Sequence, residues 1–427
     1  MCDPGRTRVG RRQSGPSGAR MDSRDATGDG NADRRWVRDV LRRHLGPGAR
    51  VGDPTPFCAA GDGFASEMFS VETEDGPLVV KTLPGEPRRS ARRLDRQFAN
   101  EARFYGEVLP FLLGARAGED DIIARMFPRF VCAHADPGRA LVAVEDLRPR
   151  GFRLAPKTLD LVHSRLALRA LGKFHALSLA AKRRTPAEFQ EVVVAGAKHW
   201  RQLTSDELPT MMRECLDHAV QAYAEFFPED KAGRAGDDLN RILGLVDSFD
   251  GSADPEEPLA VLCHGDFNRN NLLFGYGEDG VPTSLVLIDF QLATYCSPGV
   301  DLSLLLFLSA SAEVRRLHWD ELLLEYRTSL LETMQRLLGC GRDVLEKEYS
   351  AELFAEDFRR HCHHGFLIAI FFQPFLMLPP DLLASMDDGK TLGDVKSSVS
   401  CVMQNIGEEG RRSLGALVKD VIDKGYF

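Results

Sequence analysis

The stretch Val261-Leu-Cys-His-Gly-Asp-Phe-Asn-Arg-Asn-Asn-Leu-Leu-Phe274 limits this chain more than any other. An apolar run enters a polar loop at His264-Gly265-Asp266, and Asn271 follows five residues after the aspartate. A second apolar run, Leu285 to Ile288, ends in Asp289. Runs of this length between turn residues read as short strands. Taken singly, His-Gly-Asp is a turn and Asp289 a strand-end cap. Together, in a helical region that follows a small lysine-bearing sheet, they read as one site.

The surrounding pattern supplies that context. Trp36, Val37, Val40, Leu41 and Leu45 share one face of a helix expected over Asp33 to Leu45, stopped by Gly46-Pro47-Gly48. Strands are expected at Phe57 to Ala59, Met68 to Glu72, Leu78 to Leu83, Val131 to Ala135 and Ala140 to Glu145, with a helix over Leu94 to Val108. After Asp146 the period changes. Leu159, Val162, Leu166, Ala170, Phe174 and Leu177 mark a long amphipathic helix. Further helices are expected at Ala195 to Leu203, Glu207 to Phe227 and Asp237 to Asp247. Short strands follow at Leu259 to His264, Asn271 to Phe274 and Thr283 to Asp289, and then helices to the end. The expectation is an α+β, two-lobed plan: a disordered tail over 1–33, a β-rich lobe over 34–146 and a mainly helical lobe over 147–427.

Bulk properties narrow the classes. A length of 427 residues with 43% hydrophobic and 27% charged residues suits two lobes sharing a cleft. A net charge of -9 argues against a nucleic-acid binder. Nine scattered cysteines with no C-x-x-C pair read as reduced thiols in a cytoplasmic protein. No signal peptide is visible, and Met21 is an alternative start. The apolar stretch Gly365 to Pro379 is interrupted by Gln373 and Pro374, so it reads as a buried helix and not a membrane span.

An aspartate and an asparagine on one loop, with a second aspartate on the next strand, suit phosphoryl transfer between oxygens. That reaction needs a partner for the acceptor hydroxyl, a divalent metal on the phosphates, and positioning. In an acidic chain the phosphates also need a local positive field. Lys81, a lone lysine closing the Leu-Val-Val strand, is the candidate, with backbone N–H groups and metal ions beside it.

With these residues in view, the chain resembles the ecdysteroid kinase-like (CHK kinase-like) family. That family lies within the aminoglycoside phosphotransferase and choline kinase superfamily of protein-kinase-like folds. Besides the loop and Ile288-Asp289-Phe290, the likeness rests on Gly61-Asp-Gly-Phe-Ala-Ser66 and Leu78-Val-Val-Lys-Thr-Leu-Pro84. It rests also on Phe98-x-x-Glu101-x-x-Phe104-Tyr105, Glu145-Asp146-Leu147 with Gly151-Phe152, and Phe174-His175-Ala176. The resemblance implies an ATP- and Mg²⁺-dependent kinase of a small-molecule alcohol. In it Asp266 orients the acceptor hydroxyl and takes its proton, while Asn271 and Asp289 hold Mg²⁺. Lys81 pairs the α- and β-phosphates and Glu101 holds Lys81; otherwise Glu101 is an ordinary surface acid. Gly61, Gly63 and Ser66 belong to a phosphate-covering loop, and the backbone of Glu145 to Leu147 meets adenine. Asp301 either braces the catalytic loop or caps its helix. Arg269 either adds positive potential or is solvated. Asn268 departs from the family, which often has tryptophan there.

The acceptor implied is an ecdysteroid or related hydroxylated xenobiotic, walled by the aromatic run Phe366 to Met377. The alternatives are a choline or ethanolamine kinase and a non-catalytic pseudokinase. No nucleic-acid, membrane or obligate protein partner is evident. His175 reads as a core histidine, and His361, Cys362, His363 and His364 as packing residues rather than a zinc site.

Overall fold

The computed structural model describes residues 28–57, 66–84, 93–114, 122–136, 138–197, 208–229, 235–249, 255–378 and 395–426. Helix α1 (Gly28–Leu45) begins at Gly28 and not at Asp33. Val37, Val40 and Leu41 are fully buried against Phe69, Val71, Leu78, Val80, Leu141 and Ala143. The helix therefore covers one face of an antiparallel sheet.

That sheet has the order β1-β2-β3-β5-β4. Its strands are β1 (Thr55–Pro56), β2 (Glu67–Val71), β3 (Leu78–Thr82), β4 (Phe130–Asp136) and β5 (Arg139–Glu145). The first strand lies at Thr55–Pro56 rather than Phe57 to Ala59; Phe57 N–H still donates to Met68 O at 2.9 Å. Strand alternation sends Phe69, Val71, Leu78 and Val80 to α1 and leaves Met68, Ser70, Val79 and Lys81 on the opposite face. Helix α2 (Leu94–Arg103) continues through a wide turn, Phe104–Val108, and a last helical turn, Leu109–Leu113. Pro110 has no N–H to give Gly106, which explains why the ladder widens just before it.

The rest is mostly helical, so the molecule is a two-lobed α+β fold. Helix α3 (Leu161–Arg184) packs along α7 (Ala312–Leu338). Gly172 permits that approach, since a Cβ there would sit 2.6 Å from Tyr326 O. Between them in sequence come α4 (Leu208–Phe226), α5 (Ala235–Ser248) and α6 (Gly299–Leu304). After α7 come α8 (Arg342–Glu348), α9 (Ala351–His361), α10 (His363–Met377), α11 (Val395–Asn405) and α12 (Gly407–Lys424). Asp160, Ser311 and Ser350 cap α3, α7 and α9 by accepting from His163 N, Val314 N and Leu353 N. Where a helix was expected over Ala195 to Leu203, the chain is helical earlier, over Pro186–Val194, and turns at Ala195. Pro186 at the first helical position favours that start; residues 198–207 lie outside the described residues.

Helix α10 is enclosed by α4, α6 and α12. Phe366, Leu367, Ala369 and Ile370 are fully buried, as a helix apolar on all sides requires. No helix of the described residues is long and apolar enough to cross a membrane. Each described cysteine is a free thiol.

His364 shares this interior, with its ring 5.4 Å from that of Phe249. Burial pushes its pKa down to about 3, and His363 adds to the effect. Below the ordinary histidine value the unfolded chain takes up a proton that the folded chain refuses. Stability from this group is whole above about pH 6.5 and drains as pH falls toward about 3, at about 1.4 kcal/mol per pH unit. Urea unfolding between pH 6.5 and 4.5 should show a shallower acid decline in His364→Leu than in wild type. Parallel declines would exclude His364 as a source.

Two small β-sheets hold the polar loop. Strand β7 (Val261–Cys263) pairs with β10 (Thr294–Cys296), and β6 (Arg153–Leu154), β8 (Leu272–Tyr276) and β9 (Pro282–Leu287) form a second sheet. The loop from His264 to Asn271 is thus pinned at both ends.

Candidate active site

Asp266 leaves β7 on a tight turn. Gly265 sits at φ +79°, and a Cβ there would lie 1.9 Å from Leu292 O, so only glycine fits. His264 is fully buried and bridges the loop to the next strand: its Nε2 meets Ile288 O at 2.9 Å, and its Nδ1 accepts from Asp266 N–H at 3.3 Å. Burial lowers its pKa, and the neutral Nε2–H ring is the form both contacts require.

The Asp266 carboxylate is held by two amides. Asn268 Nδ2 donates to Oδ1 at 2.6 Å and Asn271 Nδ2 to Oδ2 at 2.9 Å. Asn268, which breaks with the family's frequent tryptophan, is therefore one of the two clamps. Burial, reinforced by the negative charge of Asp289, pushes Asp266 up to about 7.

Asp289 follows β9 and stands at φ +68°, a left-handed conformation rare outside glycine. The strand ends at Leu287, short of the expected Asp289, because this reversal breaks the ladder. Phe290 anchors it, stacked on Phe104 with ring centroids 3.7 Å apart. From the other lobe, Lys81 Nζ reaches Glu101 Oε1 at 2.9 Å and Asp289 Oδ1 at 3.1 Å. Glu101 is buried, so it is no ordinary surface acid. Burial works against the Lys81 charge, yet Asp289 and Glu101 hold its pKa above the ordinary lysine value. Burial, only partly offset by Lys81, pushes Glu101 up to about 7. Its two oxygens at 2.9 and 3.2 Å from Nζ have the geometry of an ammonium–carboxylate pair.

A divalent cation fits the arrangement. Asp289 Oδ1 is buried and accepts no hydrogen bond among the described residues, because Lys81 approaches it off the hydrogen-bonding direction. Asn271 spends its Nδ2 on Asp266, which leaves Oδ1 as a ligand atom. An all-oxygen pair of this kind suits Mg²⁺.

Asp301 is fully buried and braces the loop from α6. It accepts from His264 N–H at 2.7 Å and from Gly265 N–H at 2.9 Å. Although burial opposes its charge, His175 and then His264 hold its carboxyl below the usual range. His175 is more than a core histidine: Nε2 meets Asp301 Oδ2 at 3.1 Å and Nδ1 meets Tyr326 OH at 2.9 Å. Among the described residues the metal-type grouping is His175, Cys263 and Asp301, not the His361 to His364 run. Its histidine and aspartate already face each other and the loop.

Of the remaining expected residues, Gly61 and Gly63 lie outside the described residues; Ser66 is half-buried just before β2. Glu145 N–H donates to Arg129 O and Asp146 N–H to Pro77 O, while the Leu147 N–H has no partner among the described residues. Arg269 is half-buried, and its N–H donates to Ser309 Oγ at 2.9 Å. Phe371 is buried, packed on Phe372 and Phe375, so the exposed residues of that run are Phe372 and Leu376. Asn100 went unnoticed in the sequence. It is buried beside Glu101, and its Nδ2 donates to Gln291 O at 3.1 Å and Ala293 O at 2.9 Å, tying α2 to the Asp289 turn. Its position next to Glu101, on the helix that follows the lysine-bearing strand, was the available signal.

The model of the ecdysteroid kinase-like family matches residues 60–339. The chain belongs to the ecdysteroid kinase-like family. No curated protein matches this ecdysteroid kinase-like chain. Solved structures similar to it include a choline kinase from Cryptosporidium parvum, at 11% identity and TM-score 0.45, covering 92% of this chain and 97% of that one. A spectinomycin phosphotransferase in complex with ADP and spectinomycin has 11% identity and TM-score 0.43, covering 90% and 98%. A microcompartment-associated aminopropanol kinase has 13% identity and TM-score 0.41, covering 91% and 98%.

Proposed function

We propose that this chain transfers the γ-phosphoryl group of ATP to a hydroxyl of a small molecule, an ecdysteroid or a related hydroxylated xenobiotic. The observation that carries the reading is a carboxylate clamped by two amides, Asp266, on a loop that His264 ties to Ile288, next to the Asp289 that together with Glu101 pins Lys81. Family membership supports the alcohol acceptor and suggests the steroid class.

In this reading Glu101 and Asp289 hold Lys81 extended toward the α- and β-phosphates. Asn271 Oδ1 and the Asp289 carboxylate would hold Mg²⁺, which when bound neutralises phosphate charge and fixes the phosphate oxygens. Asp266 orients the acceptor hydroxyl. As that oxygen bonds to the γ-phosphorus, the bond from the γ-phosphorus to the β,γ-bridging oxygen breaks, ADP departs, and the hydroxyl proton passes to Asp266. A carboxylate is a weak base, so positioning is the larger part of its contribution. The Leu147 N–H is the hinge donor for adenine. The free thiols suit a reducing, cytoplasmic setting.

The test is Mg²⁺-dependent transfer from labelled ATP to ecdysone, 20-hydroxyecdysone, choline, ethanolamine and several glycosides. Product on a steroid is expected. Product on choline or ethanolamine alone would replace the acceptor class. No product on any acceptor, with no melting shift from Mg-ATP, would overturn the kinase reading in favour of a pseudokinase.

A further inference from the structure

One side chain joins the hinge to the strand hairpin above it. Arg148 follows Leu147 directly, and its N–H donates to Asp146 Oδ1 at 2.9 Å. Its Nε lies 3.0 Å from both Asp146 oxygens, and its Nη2 lies 2.6 Å from Oδ2. The Asp146 side chain is only 3% exposed, so the fork is held by a fixed carboxylate and not by a solvated surface partner.

The same guanidinium also meets the hairpin. Its Cζ lies 4.2 Å from the Phe57 ring centroid, and Nη2 donates to Ser70 Oγ at 3.3 Å. Register places these contacts. Phe57 lies opposite Met68, Met68 pairs with Lys81, and Ser70 pairs with Val79. Val79 in turn pairs with Val144, the residue before Glu145. Residues opposite one another share a face, so Phe57 and Ser70 look into the cleft with Lys81. Arg148 thus lies across the cleft face of β1 and β2, on the hinge side of Lys81. At 54% exposure it has solvent on one flank and the cleft on the other.

We propose that Arg148, forked on Asp146 and stacked on Phe57, forms the outer wall of the base and ribose subsite and sets how tightly the nucleotide is held. The inference rests on the reading of this cleft as an ATP site. The phosphates belong at Lys81; Phe57 shares that row two strands away, and Ser70, which Nη2 contacts, lies in the next row toward the hinge, so Arg148 acts on the nucleoside end. ATP and ADP are then affected alike, and the step that moves the γ-phosphoryl group is not. Lysine cannot substitute, because the planar fork and the stacking face are both lost.

Arg148→Ala would strand the buried Asp146 carboxylate and risk the fold. Phe57→Leu removes only the stack, and Arg148→Lys keeps the charge while losing the fork. Calorimetric titration of the full chain with ATP and with ADP, beside steady-state kinetics, reads both variants. Phe57→Leu is expected to weaken both nucleotides by the same factor, about threefold to fivefold, because the guanidinium loses the cation–π contact that holds it against the hairpin. Arg148→Lys is expected to weaken both about tenfold, because the side chain that walls the subsite loses the fork on Asp146 that fixes it in place. KM for ATP should follow the dissociation constants, with kcat at saturating ATP held. Unchanged affinities in both variants, with wild type binding normally, would overturn the proposal. So would weakened ATP with unaltered ADP, which would put the guanidinium on the γ-phosphate. A fall in kcat matched by a lower nucleotide-free melting temperature would reduce Arg148 to a structural part. Failure of wild type to bind either nucleotide would instead overturn the ATP reading on which the inference rests.

Discussion

Asp266→Asn is expected to lower kcat for phosphoryl transfer by about a thousandfold, the range that removal of a positioned proton acceptor gives. The substitution keeps the size of the side chain but removes the site for the hydroxyl proton. It also turns one acceptor oxygen into a donor that faces an amide, Asn268 Nδ2 or Asn271 Nδ2, already donating to that position. Orientation of the acceptor therefore suffers together with proton transfer. Lys81, Glu101 and Asp289 are untouched, so the melting shift produced by ADP should persist. Single-turnover transfer to one confirmed acceptor, beside that shift, makes the check. Activity within tenfold of wild type would remove Asp266 from the reaction.

Asp301→Ala is expected to destabilise the folded chain by about 3–5 kcal/mol, as breaking a buried hydrogen-bonded charged group does. The carboxylate is fully buried and serves the His264 N–H, the Gly265 N–H and His175 at once. Its removal orphans those donors where water does not reach. The loop beside it is already committed to the positive φ of Gly265 under Leu292 O, so it has no other low-energy path. Urea unfolding should show the loss as a lower midpoint. Transfer activity should fall further than the unfolded fraction accounts for, because the loop that carries Asp266 loses its brace. A change below about 1 kcal/mol would mean the turn at Gly265 suffices to hold the loop, which is no more than a typical single hydrogen bond contributes.

Local periodicity made much of the fold legible. The face of Val37, Val40 and Leu41, the alternation through Met68 to Val71, and the long repeat from Leu159 to Leu177 each encode one buried surface. Boundaries shifted where a single residue decided them. Pro110 widened α2, Pro186 began a helix ahead of the expected one, and Asp289 ended β9 early. Strands β6 and β10 escaped notice, being two and three residues long. Elements that short carry too few residues to show a period, and they exist because neighbouring strands pair with them.

The candidate site divides along the same line. Its residue types and spacings are written in the chain: Lys81 at a strand end, Asp266 five before Asn271, and Asp289 after an apolar run. That determined which groups were available for chemistry. Which groups meet was decided by the tertiary structure alone. Asn268 faces Asp266, Asn100 ties α2 to the Asp289 turn, and Tyr326, His175 and Asp301 line up behind the loop that carries Asp266. These contacts join residues as far apart as Asn100 and Ala293, brought together by helix packing and sheet register. A hydrogen bond depends on distance and direction in space. A sequence records only the order of its donors and acceptors, and order carries that information for neighbours along the chain and for no others.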